Sequence, residues 1–273
     1  MKISVIISTY NSPEWLEKVL IGYQNQSDSD FEIMIADDGS REETRETVER
    51  VASRCSFPVR HFWQTDDGFR KCAILNRAIA ECRGDYLLFT DGDCIPRPDL
   101  VSVHRAFAQP GHFLSGGYCK LPMATSKAIT PEDIRSGEAF RISWLRRHGY
   151  RPSLKWMKIL ARPWEIDEML NRLPFAKPTF NGKNSSCYRK DALTIGGFDE
   201  RMGYGGEDRE FGYRLENCGI APKVIRYSAL CLHLDHKRGY VDAEIRARNE
   251  AIIAQTRASR LVRTVNGLSE GVR

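Results

Sequence analysis

The sequence predicts an α/β fold with a mostly parallel central sheet flanked by helices, and two observations carry that expectation. Short apolar runs alternate with amphipathic stretches through about the first hundred residues, the pattern of parallel strands joined by right-handed helical crossovers. The fourth of these runs, Tyr86 to Phe89, delivers two carboxylates, Asp91 and Asp93, onto Gly92 before Pro96 and Pro98 stop it. In open α/β sheets the ligand crevice lies just outside the carboxyl ends of the strands, which is where this loop falls.

The elements follow in order. Ile3 to Ile7 reads as a buried strand and Thr9-Tyr10-Asn11 as the loop that leaves it. Ser12 caps a helix with Pro13 at its first position, and Trp15, Leu16, Val19, Leu20 and Tyr23 share one face. Phe31 to Ala36 is the second strand, Asp37-Asp38-Gly39 a turn, and Ser40 with Glu43 a capping box for a helix running to about Cys55. Val59 to Trp63 is the third strand and Phe69 to Cys82 the third helix, with Cys72, Leu75, Ile79 and Cys82 on its inner side.

Composition bounds the function without naming it. The chain has 273 residues and a formal charge of +5, so only clusters of charge are informative. Its eight cysteines form no Cys-x-x-Cys pair, which suits free thiols in a reducing cytosol. The apolar run after Met1-Lys2 is too short for a signal-peptide core, and no run approaches the roughly 18 residues of a membrane span. The expected location is therefore cytoplasmic. Neither Gly-x-Gly-x-x-Gly nor a Walker loop is present, which disfavours dinucleotide and P-loop enzymes.

The loops after strands one, two and four offer Thr9, Asp38, Asp91 and Asp93. Hard oxygen ligands suit Mg²⁺ or Mn²⁺, and a cation so held can carry a diphosphate. A carboxylate such as Asp38 can accept from a base or ribose hydroxyl, although aspartate and glycine are also ordinary turn residues.

Val5-Ile6-Ile7-Ser8-Thr9-Tyr10-Asn11, Ile35-Ala36-Asp37-Asp38-Gly39-Ser40 and Phe89-Thr90-Asp91-Gly92-Asp93 together resemble the successive motifs of family 2 glycosyltransferases of the GT-A fold. The resemblance spans roughly residues 3 to 105. It implies that Thr9, Tyr10, Asn11 and Asp38 line the nucleoside site, usually for uridine. It further implies that Asp91 and Asp93 form an Asp-x-Asp site with Asp93 on the metal and Asp91 supporting. Gln64 to Lys71 is similar to a family segment before the third helix, where Arg70 or Lys71 can meet phosphate.

Beyond this half, His112 to Lys120 reads as a strand in which Gly116-Gly117 allows close backbone approach. From Ala139 to Trp164, Arg141, Arg146, Arg147, Arg151, Lys155, Lys158 and Arg162 occur with no acidic residue, interleaved with Trp144, Tyr150, Trp156 and Trp164. Such a surface suits peripheral contact with anionic lipid or a grip on an anionic acceptor. The competing arrangement is a solvated helix pair with inward tryptophans. Phosphate contact and base stacking would also fit, but no nucleic-acid partner is expected.

Phe180 to Lys190 returns to strand-like residues, with Asn181 at its start, and Gly196 to Glu200 makes a turn. In Tyr204-Gly205-Gly206-Glu207-Asp208, the helical spacing of Phe211, Leu215 and Cys218 places Glu207 and Asp208 in a first helical turn. Acids there are stabilised by the helix dipole without any chemistry; the two glycines before them open the turn to a ligand. The segment resembles the Gly-Gly-Glu-Asp region of the galactosyltransferase and chondroitin-polymerase branch. That implies Asp208 as the base that deprotonates the acceptor hydroxyl, with Glu207 holding sugar or acceptor beside Tyr204, Gly206 and Asn181. Where the branch usually has tryptophan, this chain has Tyr204.

Lys223 to Leu234 reads as a strand entering His233-Leu234-Asp235-His236, and branch relatives place a metal-ligating histidine here. His233 is the expected ligand and His236 the alternate. Asp242 to about Val262 is helix-compatible, and a loosely ordered tail is expected after it.

The chain is thus read as a nucleotide-sugar-binding, Rossmann-like half over 1–105, an acceptor-binding catalytic half over 106–240 with the basic aromatic insertion at about 135–172, and a helical tail over 241–273. The resemblance implies a metal-dependent inverting transferase using a nucleotide-sugar donor and a saccharide or glycolipid acceptor. A sugar-nucleotidyltransferase and a non-catalytic RNA- or membrane-binding module are the alternatives.

Overall fold

The computed structural model describes residues 1–151, 156–161, 166–173, 178–236, 242–269 and 271. Its strands are β1 (Ile3–Thr9), β2 (Phe31–Asp37), β3 (Val59–Trp63), β4 (Tyr86–Asp91), β5 (Cys94–Pro96), β6 (His112–Lys120), β7 (Ser185–Tyr188) and β8 (Ala221–His233). The amino-terminal helices are α1 (Pro13–Gln24), α2 (Glu42–Ala52), α3 (Lys71–Glu81) and α4 (Leu100–Phe107). Short helices α5 (Met123–Ala128), α6 (Pro131–Arg135), α7 (Ile142–Arg147), α8 (Met157–Leu160) and α9 (Asp167–Asn171) follow. Then come α10 (Arg189–Thr194), α11 (Glu207–Asn217) and α12 (Ala243–Ala258).

The described strands form one sheet in the order β3-β2-β1-β4-β7-β6-β8-β5. β1 pairs in parallel with β2 and β4, and β2 with β3, as the strand–helix alternation predicts. β7 runs antiparallel between β4 and β6, and β6 returns to parallel pairing with β8. β1 and β2 are buried at every position, because helices cover both faces of a parallel sheet. The helices divide the interior into two layers. Leu16, Val19, Leu20 and Tyr23 of α1 pack on one face, and Cys72, Leu75 and Ile79 of α3 on the other.

β6 approaches β8 and the segment before β7 this closely only because the positions facing them are glycine. A Cβ on Gly117 would lie 2.1 Å from the Arg226 carbonyl, and one on Gly116 would lie 2.4 Å from the Asn184 side chain. The parallel register shifts between these two glycines, so they mark a bulge.

The structure corrects four local expectations. Ser40 and Glu43 form no capping box: α2 starts at Glu42 behind Arg41, with no side-chain cap. The Ser40 hydroxyl instead accepts from the Asn11 N–H at 2.8 Å, while the Asn11 side chain accepts from the Arg41 N–H at 2.9 Å. The loops after β1 and β2 are thereby tied together, a demand that outranks local capping. Ser12 likewise occupies the cap position of α1 but gives its hydroxyl to the Tyr10 carbonyl.

Pro96 does not end the strand region, because Cys94–Pro96 form β5 at the sheet edge, where proline's missing N–H is tolerated. The tail is ordered through Leu268, with the Thr264 hydroxyl donating to Asp199 at 2.8 Å and the Leu268 N–H to the Gly196 carbonyl at 2.8 Å.

The insertion packs its aromatics inward. Trp144 and Tyr150 are buried in the α1-side core, and Trp156 is half-buried against it. Lys155, Arg162 and Trp164 lie outside the described residues.

Candidate active site

A cleft of about 570 Å³ opens at the carboxyl ends of β1, β2 and β4, within the size range of small-molecule sites. Strand register sets its floor: Ser8 lies beside Asp91 of β4, and Thr9 beside Asp37 of β2. Thr9, Tyr10, Asn11, Asp38, Lys71, Asp91, Asp93, Tyr204, Glu207, His233 and His236 all line the cleft, so residues far apart in the chain meet in one place.

At the β2 end, the Asp38 carboxylate accepts from Gln64 Nε2 at 2.6 Å and from the Arg70 N–H at 2.9 Å. Burial raises its carboxyl above the ordinary range. The Tyr10 hydroxyl donates to Asp66 at 2.9 Å, and that bond raises its own pKa. The Thr9 hydroxyl is covered against Gly92 and has no partner among the described residues.

At the opposite end the short strand β5 does what the sequence reading did not foresee. Its pairing sets Cys94 opposite His233, and the Leu234 N–H donates to the Asp93 carbonyl at 2.8 Å. Asp93 Oδ2 then lies 3.1 Å from His236 Nε2 and 3.6 Å from His233 Nε2. Both histidines face the carboxylate, because the chain turns at Leu234 as the strand ends. Burial lowers the His233 pKa, which favours the neutral imidazole that a metal requires.

One oxygen and two imidazole nitrogens form a donor set suited to Mn²⁺, so the residues fit a divalent cation. Cys94 Sγ also lies within 4.8 Å of ligand atoms of Asp93 and His233, but burial pushes its thiol far up, and a protonated thiol is a poor ligand for a hard cation.

Glu207 and Asp208 begin α11, as the helical spacing predicts, behind Gly205 and Gly206 at φ +107° and +94°, backbone that side chains rarely adopt. Glu207 forms part of the cleft wall, accepts from the Gly205 N–H at 3.1 Å, and has its pKa raised by burial. Asp208 is turned beside the cleft, where its Oδ2 accepts from the Gly182 N–H at 3.0 Å. Tyr204 sets its ring edge-on to Phe69 at 5.7 Å between centroids.

Other expected residues take different places. The Arg70 side chain is half exposed beside Asp67, so this residue reaches the site through its backbone N–H on Asp38. Asn181 spends its side chain on its own turn, accepting from the Asn184 N–H at 3.0 Å and donating to Ser185 Oγ at 3.0 Å. The sequence reading missed Lys183, which lines the cleft near Asp91. It also missed Asp37, buried against His61 at 2.9 Å at the carboxyl end of β2.

Two family models match the chain. Residues 4–117 match the family model for glycosyl transferase family 2, and residues 165–237 match that for the N-terminal domain of galactosyltransferase. The chain is 31% identical over 237 residues to validoxylamine A glucosyltransferase of Streptomyces hygroscopicus subsp. limoneus, covering 83% of this chain and 50% of that protein. It is 28% identical over 240 residues to chondroitin synthase of Escherichia coli, covering 79% of this chain and 32% of that protein. The chain therefore spans about half, or less, of the length of these relatives.

Among solved structures, the S. aureus TarS fragment 1–349 in complex with UDP-GlcNAc superposes with a TM-score of 0.63 at 17% identity, covering 95% of this chain and 69% of that one. The mannosyltransferase PcManGT of Pyrobaculum calidifontis, in complex with GDP-Man and Mn²⁺, gives 0.61 at 19% identity, covering 94% and 64%. Fold and site define a GT-A α/β protein. The chain belongs to the family 2 glycosyltransferases, with a carboxyl-terminal region of the galactosyltransferase and chondroitin-synthase branch.

Proposed function

We propose that the protein is an inverting glycosyltransferase that moves a sugar from a UDP-sugar donor to a hydroxyl of a saccharide or glycolipid acceptor, with Mn²⁺ or Mg²⁺. The observation that carries this reading is the meeting of Asp93, His233 and His236 in the cleft that also holds Asp38 and Glu207. Asp38, Tyr10 and Asn11 receive the nucleoside, and Asp93 with His233 and His236 would hold the cation. A bound divalent ion supplies neutralisation of the charge that grows on a departing diphosphate.

Asp208 takes the acceptor proton as the hydroxyl oxygen attacks the anomeric carbon from the face opposite the diphosphate. One displacement inverts that carbon. Glu207, in the cleft wall, holds the transferred sugar. The test is incubation with a panel of nucleotide sugars and Mn²⁺: slow release of UDP from one donor supports the reading. Release from none, or cleavage to the nucleoside monophosphate, contradicts it.

The basic insertion supports an acceptor presented at an anionic membrane surface, through residues other than the expected aromatics. In α9, Asp167 and Asn171 turn inward to Ser228, while Ile166 and Met169 are 52% and 62% exposed. Leu160 of α8 and Leu173 are exposed as well, with Arg151 and Arg172 nearby in the chain. Among the described residues, no helix is long and apolar enough to cross a membrane. Cosedimentation with phosphatidylglycerol vesicles but not phosphatidylcholine vesicles is expected, and equal recovery with both would remove this surface from the account.

A further inference from the structure

The reaction described above leaves the surroundings of Asp91 unexplained. Its Oδ1 accepts from Lys71 Nζ at 2.7 Å and from Ser8 Oγ at 2.7 Å, and its Oδ2 lies 3.7 Å from Lys183 Nζ. Lys71 Nζ also lies 3.9 Å from Glu207. With one oxygen shared between an ammonium and a hydroxyl, and a second ammonium beside the other, Asp91 is a counter-ion.

The two lysines differ in what remains to them. Lys71 is held between Asp91 and Glu207, so its charge is spent within the protein. Lys183 meets Asp91 at ion-pair distance, beyond hydrogen-bond reach, and its side chain is 28% exposed in the wall of the cleft. Its backbone is fixed on both sides. The Gly182 N–H is bound to Asp208, and Asn184 is buried with its side chain on His104 Nε2 and the Gly117 carbonyl, each at 2.7 Å. A rigid segment thus presents a compact cation to the cleft, between Asp91 and the Tyr118 ring, whose centroid lies 5.8 Å from Nζ.

We propose that Lys183 binds the diphosphate of the donor, and that Asp91 positions it as a counter-ion instead of completing the metal shell. This rests on the functional reading above and adds to it. An ammonium recognises phosphate as a point charge, and the diphosphate gains a negative charge when its bond to the sugar breaks. Lys183 therefore assists departure as well as binding.

The test compares the wild-type chain with Lys183→Gln and Lys183→Arg, measuring UDP affinity with Mn²⁺ by calorimetry and uridine affinity by ligand-observed NMR. Lys183→Gln is expected to weaken UDP by about tenfold or more while leaving uridine within about twofold, and Lys183→Arg to recover most of the loss. Unchanged UDP affinity in Lys183→Gln, or equal losses for UDP and uridine, overturns the assignment. For the counter-ion, Mn²⁺ affinity without nucleotide, read by electron paramagnetic resonance, should stay within about twofold in Asp91→Asn. A loss as large as that in Asp93→Asn makes Asp91 a metal ligand instead. A wild-type chain that does not bind UDP with Mn²⁺ overturns the functional reading itself, a result distinct from both.

Discussion

Asp208 and Asp93 carry different burdens although each is one carboxylate beside the same cleft. Asp208 sits at a helix amino terminus with a backbone N–H on each oxygen, that of Gly182 on Oδ2 and that of Arg209 on Oδ1, and replacing it by Asn keeps the shape and removes the basicity. Asp208→Asn is expected to cut turnover by about 10²- to 10⁴-fold with donor affinity nearly unchanged, read from steady-state kinetics alongside UDP titration. A wild-type rate would move the base elsewhere, with Glu207 the next carboxylate in the cleft wall. Residues of this kind were legible in the sequence because each stands in a short local motif at a strand or helix end. Lys183 was not, since its meaning depends on Asp91, a partner distant in the chain that arrives only when β7 inserts beside β4. His236 was readable only as an alternate, because whether positions i and i+3 face one point depends on how the strand ends at Leu234.

Elements succeed or fail by what their polar groups find. The parallel strands and the helix faces follow from hydrophobic period alone, and Val59–Trp63 and His112–Lys120 fall where they were expected. Caps and edges were less legible: Ser40 is drawn off by Asn11, and β5 is too short for a periodic signal. Behind the site, His104 of α4 is fully buried between Ser186 and Asn184, at 2.7 Å from each, and braces β7 against the turn that carries Lys183. Burial lowers its pKa to about 4.

Below the unfolded value near 6.5 the unfolded chain takes up a proton that the fold refuses until about pH 4. The network's stability is therefore complete above about pH 6.5 and falls as the pH drops toward 4, by up to roughly 3 kcal/mol. Urea unfolding at pH 7 and 4.5 should show this loss, and His104→Asn should flatten it. Arg214 and Glu210 form a second buried device: they are fully covered, paired at 2.7 Å, and joined to α12 by the Thr256 hydroxyl on Glu210 at 2.9 Å. Arg214→Met strands a buried carboxylate and should destabilise by about 3–5 kcal/mol in the same assay.

The whole molecule brings three distant segments to one cleft by sheet order. Parallel strands place the loops after β1, β2 and β4 side by side, and the reversal at β7 admits the second half of the chain. β8 then reaches the edge strand that follows Asp93. The architecture was legible because strand–helix alternation permits few topologies. The meeting of Asp93 with His233 was expected through the family resemblance, but the pairing that achieves it was not legible, because antiparallel β7 and the sheet edge are fixed only by long-range contacts. Even the tail takes part, with Asn266 accepting from the Glu200 N–H at 2.7 Å and closing the turn that precedes α11. The most direct test of the account is calorimetric titration of UDP into the wild-type chain with Mn²⁺ and with EDTA, repeated on Asp93→Asn. Binding that Mn²⁺ tightens by about tenfold or more in the wild type, a difference that Asp93→Asn abolishes, is the predicted result. UDP affinity that is the same with Mn²⁺ and EDTA, or unaltered by the substitution, would contradict it.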